Sequence, residues 1–218
     1  MNDESDHARA NWRVSSASFE SSAPKLALLP PADRPEFAVA GRSNVGKSSL
    51  LNAMSNQVGL ARVSRSPGRT QLLNAFAWGL HGPGDATAQI RCVDLPGYGF
   101  AKVNAKIRDG FGPMVEEYLL QRESLRAVLV LVDVRREIDD RDLSLFEFLA
   151  DRPLRTYMVG TKADKLGAAA RGVWIDRVVQ ASGLPKARVL LTAARTGLGV
   201  VGRRSVLETL VRALEVPR

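Results

Sequence analysis

Gly41-Arg-Ser-Asn-Val-Gly-Lys-Ser48 decides the fold of this 218-residue chain. The stretch satisfies G-x-x-x-x-G-K-[ST]. It lies between a β-rich run ending at Ala40 and a helix-compatible run, Lys47–Ser55, the strand-to-helix context in which such a loop wraps phosphate. Each residue type has a physical reason. Glycines at 41 and 46 let consecutive backbone N–H groups turn toward phosphate oxygens, and the start of the helix adds its positive end. Lys47 is suited to bridge β- and γ-phosphates, and the Ser48 hydroxyl to ligate Mg²⁺. The cradle of Gly41, Arg42, Ser43, Asn44, Val45, Gly46, Lys47, Ser48 and Ser49 is therefore expected to hold a nucleoside triphosphate.

Outward from the loop, short β-rich or apolar runs fall at Glu36–Ala40, Gln71–Trp78, Ala88–Asp94, Ala127–Asp133, Arg155–Thr161 and Arg188–Thr192. Between them lie helix-compatible stretches at Lys47–Ser55, Arg108–Gln121, Asp140–Ala150, Ala168–Ala181 and Val200–Leu214. Strands that alternate with helices predict a mostly parallel sheet covered on both faces, with central strands apolar throughout, as AVLVLV at 127–132 is. Gln71–Trp78 and Ala88–Asp94 follow each other across a Gly/Pro-containing loop, which suits a hairpin. The expected architecture is an α/β P-loop NTPase fold: three αβα layers around a six-stranded, mostly parallel sheet with one antiparallel edge strand. Residues 1–30 are Ser/Ala/Asn-rich and read as a partly ordered arm, with Phe19 and Leu26–Leu29 as anchors; residues 31–218 form the single domain.

Composition excludes several classes. With 45% hydrophobic residues the chain can fill a core and is not intrinsically disordered. One Cys and two separated His make neither an internal disulfide nor a structural zinc cluster, which fits a reducing cytoplasm. The apolar run 127–132 is far too short to span a bilayer, and the acidic, polar N-terminus does not resemble an export signal. The net charge of +8 suits either a soluble basic surface or a polyanion partner. Six basic against two acidic residues lie between Pro35 and Val93, and eleven against four from Thr156 to Arg218. Neither block is a run of the kind found in disordered basic tails.

Four further segments narrow the nucleotide and complete the expected site. Asp94-Leu-Pro-Gly97 closes a β-rich run, where Asp94 can hold Mg²⁺ through water and the Gly97 N–H can reach a γ-phosphate. Thr161-Lys162-Ala163-Asp164 ends another run. A carboxylate there accepts from both N1–H and the 2-amino group of guanine, an arrangement adenine lacks, so Asp164 argues for GTP over ATP. Ser66-Pro-Gly68-Arg69-Thr70-Gln71 is a loop in which Thr70 suits a switch threonine that ligates Mg²⁺ only beside a γ-phosphate. Thr192-Ala193-Ala194 follows the last predicted strand, where a backbone N–H near Ala193 could meet guanine O6.

GRSNVGKSSLLNA, SPGRTQLLN, DLPGYGFAKV, LVDVRREIDDRDL and GTKADKL closely resemble the EngB-type (YihA/YsxC) bacterial GTPases, a branch of the translation-factor-related GTPases. The resemblance runs from about Ser18 to the C-terminus. It implies one compact GTPase domain, Mg²⁺-dependent GTP hydrolysis, a role in assembling the large ribosomal subunit, and a requirement in cell division and septation. Asn44 stands where related GTPases hold K⁺ beside the phosphates. Two departures are visible: Thr192-Ala193 stands where two serines are frequent, and Arg135-Arg136-Glu137 replaces the more usual His-Gly turn after Asp133.

The expected site thus comprises Lys47, Thr70 and Gly97 for the chemistry and Ser48, Thr70 and Asp94 for the metal. The loop residues 41–49 join Gly68, Arg69, Thr161, Lys162, Asp164, Thr192, Ala193 and Ala194 around GTP or GDP. Tyr98 occupies the position of the water-orienting Gln of many GTPases, and a phenol cannot act in the same geometry, so slow intrinsic turnover is expected. Arg69 suits a phosphate stabiliser or a solvated loop residue, and Cys92 a small core residue. Lys102 and Lys106, after Tyr98 and Phe100, suit RNA or ribosomal-protein contact or a solvated lid. Two functions follow from these expectations: a monomeric GTPase whose hydrolysis releases it from a ribosomal precursor, or a GTP-gated RNA or ribosome binder whose hydrolysis is incidental.

Overall fold

The apolar run that anchors the sheet is β5 (Leu125–Asp133), flanked in space by β2 (Glu36–Gly41) and β6 (Arg155–Thr161), both parallel to it. The computed structural model describes residues 11–61, 72–97, 112–150 and 152–216, apart from the side chain of Arg141. With β1 (Arg13–Ala23), β3 (Leu73–His81), β4 (Thr87–Asp94) and β7 (Val189–Leu191), the sheet has the order β1-β3-β4-β2-β5-β6-β7. β4 and β7 join the parallel set. β3 runs antiparallel to β4, and β1 antiparallel to β3.

The α/β three-layer class expected from the sequence is what the chain adopts, with two changes. The sheet has seven strands and not six, and its antiparallel strand, β3, is second from the edge. The Ser-rich stretch read as an arm supplies the extra strand. Its polar pattern hid it, because most of β1 is exposed or half-buried and no apolar face alternates. Its register comes from the neighbour: Phe19 meets Phe76 edge-on at 5.8 Å between ring centroids, and Ser15 Oγ donates to Gly79 O at 3.0 Å.

Helices cover both faces. Side chains alternate along β2 and β5, so Phe37, Val39, Leu129 and Leu131 face one cluster while Ala38, Ala40, Val128 and Val130 face the other. The first cluster packs against α1 (Lys47–Ser55) and α5 (Val206–Ala213). The second receives α2 (Pro113–Gln121), α3 (Asp140–Ala150) and α4 (Ala168–Ser182). On α5, Val206, Leu207, Leu210 and Val211 are buried, each contributing about 1.5–3 kcal/mol of apolar burial. This helix starts later than the periodicity suggests. Ser205 caps it by accepting the Glu208 N–H at 3.2 Å, and the preceding Arg204 has a left-handed φ of 57° that no helix tolerates.

Charge is buried at the end of the sheet where β2 begins. Glu36 is fully buried and accepts from Arg91 at 2.8 Å and from Arg122 at 2.5 and 2.9 Å. Arg91, only 1% exposed, also donates to Glu20, Pro31 O and Asp33. The network fastens β1 and the segment before β2 to the central strands.

Candidate nucleotide site

At the opposite end of β2 the chain leaves the sheet through Gly41 and re-enters order as α1. A side chain at 41 is excluded by contact: a Cβ would lie 2.8 Å from Val45 Cγ1 and 2.9 Å from the Leu131 carbonyl. Gly46, the residue preceding α1, has φ 116°, a conformation L-residues avoid. Asn44 is also left-handed, at φ 62°. Gly46 offers no capping side chain, so the positive end of α1 opens directly on the loop. Backbone turns of this form gather N–H groups around an anion. Val45 is buried in the core while Asn44 and Ser49 are exposed.

Two other strands end beside this loop. At the end of β4, Asp94 Oδ1 is buried without a hydrogen-bond partner among the described residues and lies 3.8 Å from Lys47 Nζ, too far for a direct bond. Burial pushes the Asp94 carboxyl up to about 6 against the pull of Lys47. An orphaned carboxylate oxygen beside the loop lysine suits a divalent cation bound with Ser48, so these residues fit Mg²⁺. Gly97 packs directly on the loop: a Cβ there would meet Ser43 Oγ at 2.8 Å and Ser43 N at 3.0 Å.

At the end of β6, Thr161 Oγ1 donates to Val45 O at 2.7 Å, so Thr161 pins the loop from behind. Lys162 has a left-handed φ of 60°, and its Nζ donates to Asn44 O at 3.1 Å and to Asp133 Oδ2 at 2.8 Å. Asp164 lies in the single turn that follows, 16% exposed, with Lys165 and Arg195 at 3.6 and 3.7 Å from its carboxylate. The Ala163 N–H donates to Thr192 O at 3.0 Å, which joins this turn to the one after β7.

The structure thus brings together the loop 41–49, Asp94, Gly97, Thr161, Lys162, Asp164 and the Thr192–Ala194 turn. Within the Thr192–Ala194 turn the Ala193 N–H donates to Leu198 O at 2.9 Å. Gly68, Arg69 and Thr70, with Tyr98, Phe100, Lys102 and Lys106, lie outside the described residues. Sequence reasoning missed the ion pair between Arg42 and Asp139, and the bonds around Asp133. The only signal for the latter was an aspartate closing an apolar strand with arginines behind it.

Fold and loop define a P-loop nucleotide-binding protein, and comparison with known proteins narrows the class. A family model described as "50S ribosome-binding GTPase" matches residues 36–162. The chain is 43% identical over 202 residues to "Probable GTP-binding protein EngB" of Syntrophotalea carbinolica, covering 93% of this chain and 92% of that one. The same-named protein of Geotalea daltonii is 40% identical over 206 residues, covering 92% and 96%. Among solved structures, a probable GTP-binding protein engB matches with TM-score 0.55 at 17% identity, over 83% of this chain and 98% of that one. Era in complex with MgGDPNP and a segment of 16S ribosomal RNA matches with TM-score 0.60 at 24% identity, over 84% and 57%. These two show the shared fold. The chain belongs to the EngB family of GTP-binding proteins, P-loop GTPases that bind GTP and GDP.

Proposed function

We propose that the chain is a Mg²⁺-dependent GTP switch acting in the cytoplasm on the assembling large ribosomal subunit, with a role in cell division and septation. The observation that carries the nucleotide half is the convergence of three strand ends: the left-handed loop after β2, the buried Asp94 oxygen after β4 that has no hydrogen-bond partner among the described residues, and the Thr161–Asp164 segment after β6. In this reading Lys47 and the loop backbone hold the β- and γ-phosphates. Ser48, Asp94 and Thr70 hold Mg²⁺, which would offset phosphate charge when bound. Asp164 accepts from guanine and the Ala194 N–H donates to its O6. Gly97 follows the γ-phosphate, because its contact with Ser43 ties that segment to the loop. With Tyr98 where a water-orienting Gln is frequent, turnover is slow until K⁺ near Asn44 and a ribosomal partner together complete the site.

The large-subunit partner is supported by the description of the matching family model and by the basic C-terminal third; the septation role rests on family resemblance. Co-sedimentation with large ribosomal subunits tests the reading, in a non-hydrolysable GTP analogue, in GDP and without nucleotide, across a salt series. Binding confined to the GTP-like state and weakening steeply with salt is expected. Nucleotide-independent binding, or none, would overturn it. For the base, Asp164→Asn should shift preference toward xanthine nucleotides, whose 2-oxo group accepts from the amide.

A further inference from the structure

The turn after β5 is the part of the sequence that the nucleotide reading leaves without a task. Asp133, the last residue of β5, is 5% exposed. Arg135 grips it on both oxygens, Nε to Oδ1 at 2.9 Å and an η-nitrogen to Oδ2 at 2.7 Å, and the Arg135 backbone N–H adds a third bond at 3.1 Å. The Lys162 ammonium binds the same carboxylate at 2.8 Å. Lys162 is therefore held between two anchors, Asp133 on one side and the loop carbonyl of Asn44 on the other. A second tie runs in parallel, from Arg42 of the loop to Asp139, immediately before α3. The ties flank a cavity of about 150 Å³ walled by Arg42, Asn44, Asp133, Arg136 and Lys162 among others.

We infer that Asp133 and Arg135 are positioning residues for nucleotide binding, acting through Lys162. The inference rests on the reading of Lys162 as part of the guanine site. Four rotatable bonds separate the Lys162 backbone from its charge, and its side chain is 33% exposed. Left alone, such a side chain samples many rotamers, and a bound nucleotide would have to order it. Asp133 fixes the ammonium before the nucleotide arrives. Arg135 in turn fixes Asp133, because a bidentate guanidinium sets the plane of a carboxylate as a point charge cannot. Arg135 itself is half exposed, at 52%, so its role costs the core nothing. The order of effects follows from the bond count. Asp133→Asn removes the charge that both cations share. Arg135→Ala leaves Asp133 with Lys162 and the backbone N–H. Arg135→Lys restores charge without the fork.

The test is a double-mutant cycle on GDP affinity and GDP dissociation rate in the full chain, with wild type, Asp133→Asn, Arg135→Ala, Arg135→Lys, Lys162→Ala and the two combinations with Lys162→Ala. We expect Asp133→Asn to weaken GDP about tenfold and Arg135→Ala about threefold, each chiefly through faster dissociation, with Arg135→Lys in between wild type and Arg135→Ala. In the Lys162→Ala background both substitutions should lose their effect. Effects that persist there in full would show that Asp133 and Arg135 act on stability alone and would overturn the inference, as would wild-type affinity in both single variants. Arg135→Ala, at an exposed position, keeps the test open if Asp133→Asn fails to fold. Wild-type GDP affinity in Lys162→Ala itself would instead overturn the reading of the guanine site.

Discussion

Thr161→Val isolates the contact that holds the loop in shape. Valine keeps the β-branched form and volume and removes only the hydroxyl, so no cavity forms. Thr161 is 4% exposed and Val45 5%, so the Val45 carbonyl that loses its 2.7 Å donor has little access to water. Leaving a buried acceptor unsatisfied costs about 1–3 kcal/mol. The Val45–Thr161 contact lies within the chain itself, so the first part of this loss is expected as lower stability of the nucleotide-free chain, measured by urea unfolding. A second part appears in affinity, because a loop released at Val45 samples backbones in which its N–H groups no longer converge. At 1.4 kcal/mol per tenfold, a loss of this size corresponds to a GDP Kd raised between about 5-fold and 140-fold if all of it transfers to binding. Thr161→Ser keeps the hydroxyl and should keep most of both. Wild-type stability together with wild-type GDP affinity in Thr161→Val would refute the reasoning, and so would Thr161→Ser losing as much as the valine.

Two other perturbations follow from buried charge. Glu36→Ala removes the carboxylate that Arg91 and Arg122 share, with exposures of only 1% and 8%; it should destabilise the chain by about 3–5 kcal/mol in urea, whereas a loss under about 1 kcal/mol would mean that solvent or Glu20 and Asp33 compensate the cluster. Asp94 gives a pH signature in metal-free protein: burial raises its pKa from 3.8 to about 6, so between these values the folded chain binds a proton that the unfolded chain has released. Stability should therefore fall as pH rises through that window and level off above it, and Asp94→Asn should remove this component; urea midpoints in chelator at stepped pH measure it. Asp133 has the opposite sign. Despite burial, bonds from Arg135 and Lys162 hold its carboxyl well below the usual range, so its contribution is present above about pH 4 and is lost only in strong acid.

Much of this was legible in the sequence because it depends on local pattern. A strand, a glycine-bounded loop and a helix are contiguous, so Gly41–Ser48 could be placed and its neighbours found by periodicity. β2, β5 and β6 are buried almost throughout, as is β4 from Ile90 to Val93, and their ends fall within a residue or two of where apolarity stops. What stayed hidden depends on partners distant in sequence. β1 is a strand because β3 offers an edge, and nothing in RVSSASFESSA reports that edge. Arg91 sits in the middle of an apolar run and looks like an error of pattern until Glu20, Asp33 and Glu36 surround it. The Thr161 hydroxyl reaches Val45 O across 116 residues of sequence, a contact no local pattern reports. The Ala193–Leu198 bridge joins residues too close in sequence to register as a pattern.

The basic surface changes most when partners are counted. Among the eleven basic residues from Thr156 onward, Lys162 is committed to Asp133 and Asn44, Arg171 to the Ala163 carbonyl, Lys186 to Asp176 and Arg212 to Glu208. Lys165 and Arg195 lie beside Asp164. Arg212 is therefore partly neutralised by its i−4 neighbour. Arg203 and Arg204 form no ion pair among the described residues; both are exposed, in the turn that leads from the Thr192–Ala194 segment into α5. Arg188 is also exposed but stands where β7 begins, at the end of the sheet away from the loop. If the proposed ribosomal contact is to respond to nucleotide, the charges that matter are those at the loop end. Reversing Arg203 and Arg204 together to Glu should weaken co-sedimentation and lower its salt dependence, while Arg188→Glu should do so less. Equal losses from both would mean that the contact reads net charge and not the nucleotide end of the sheet.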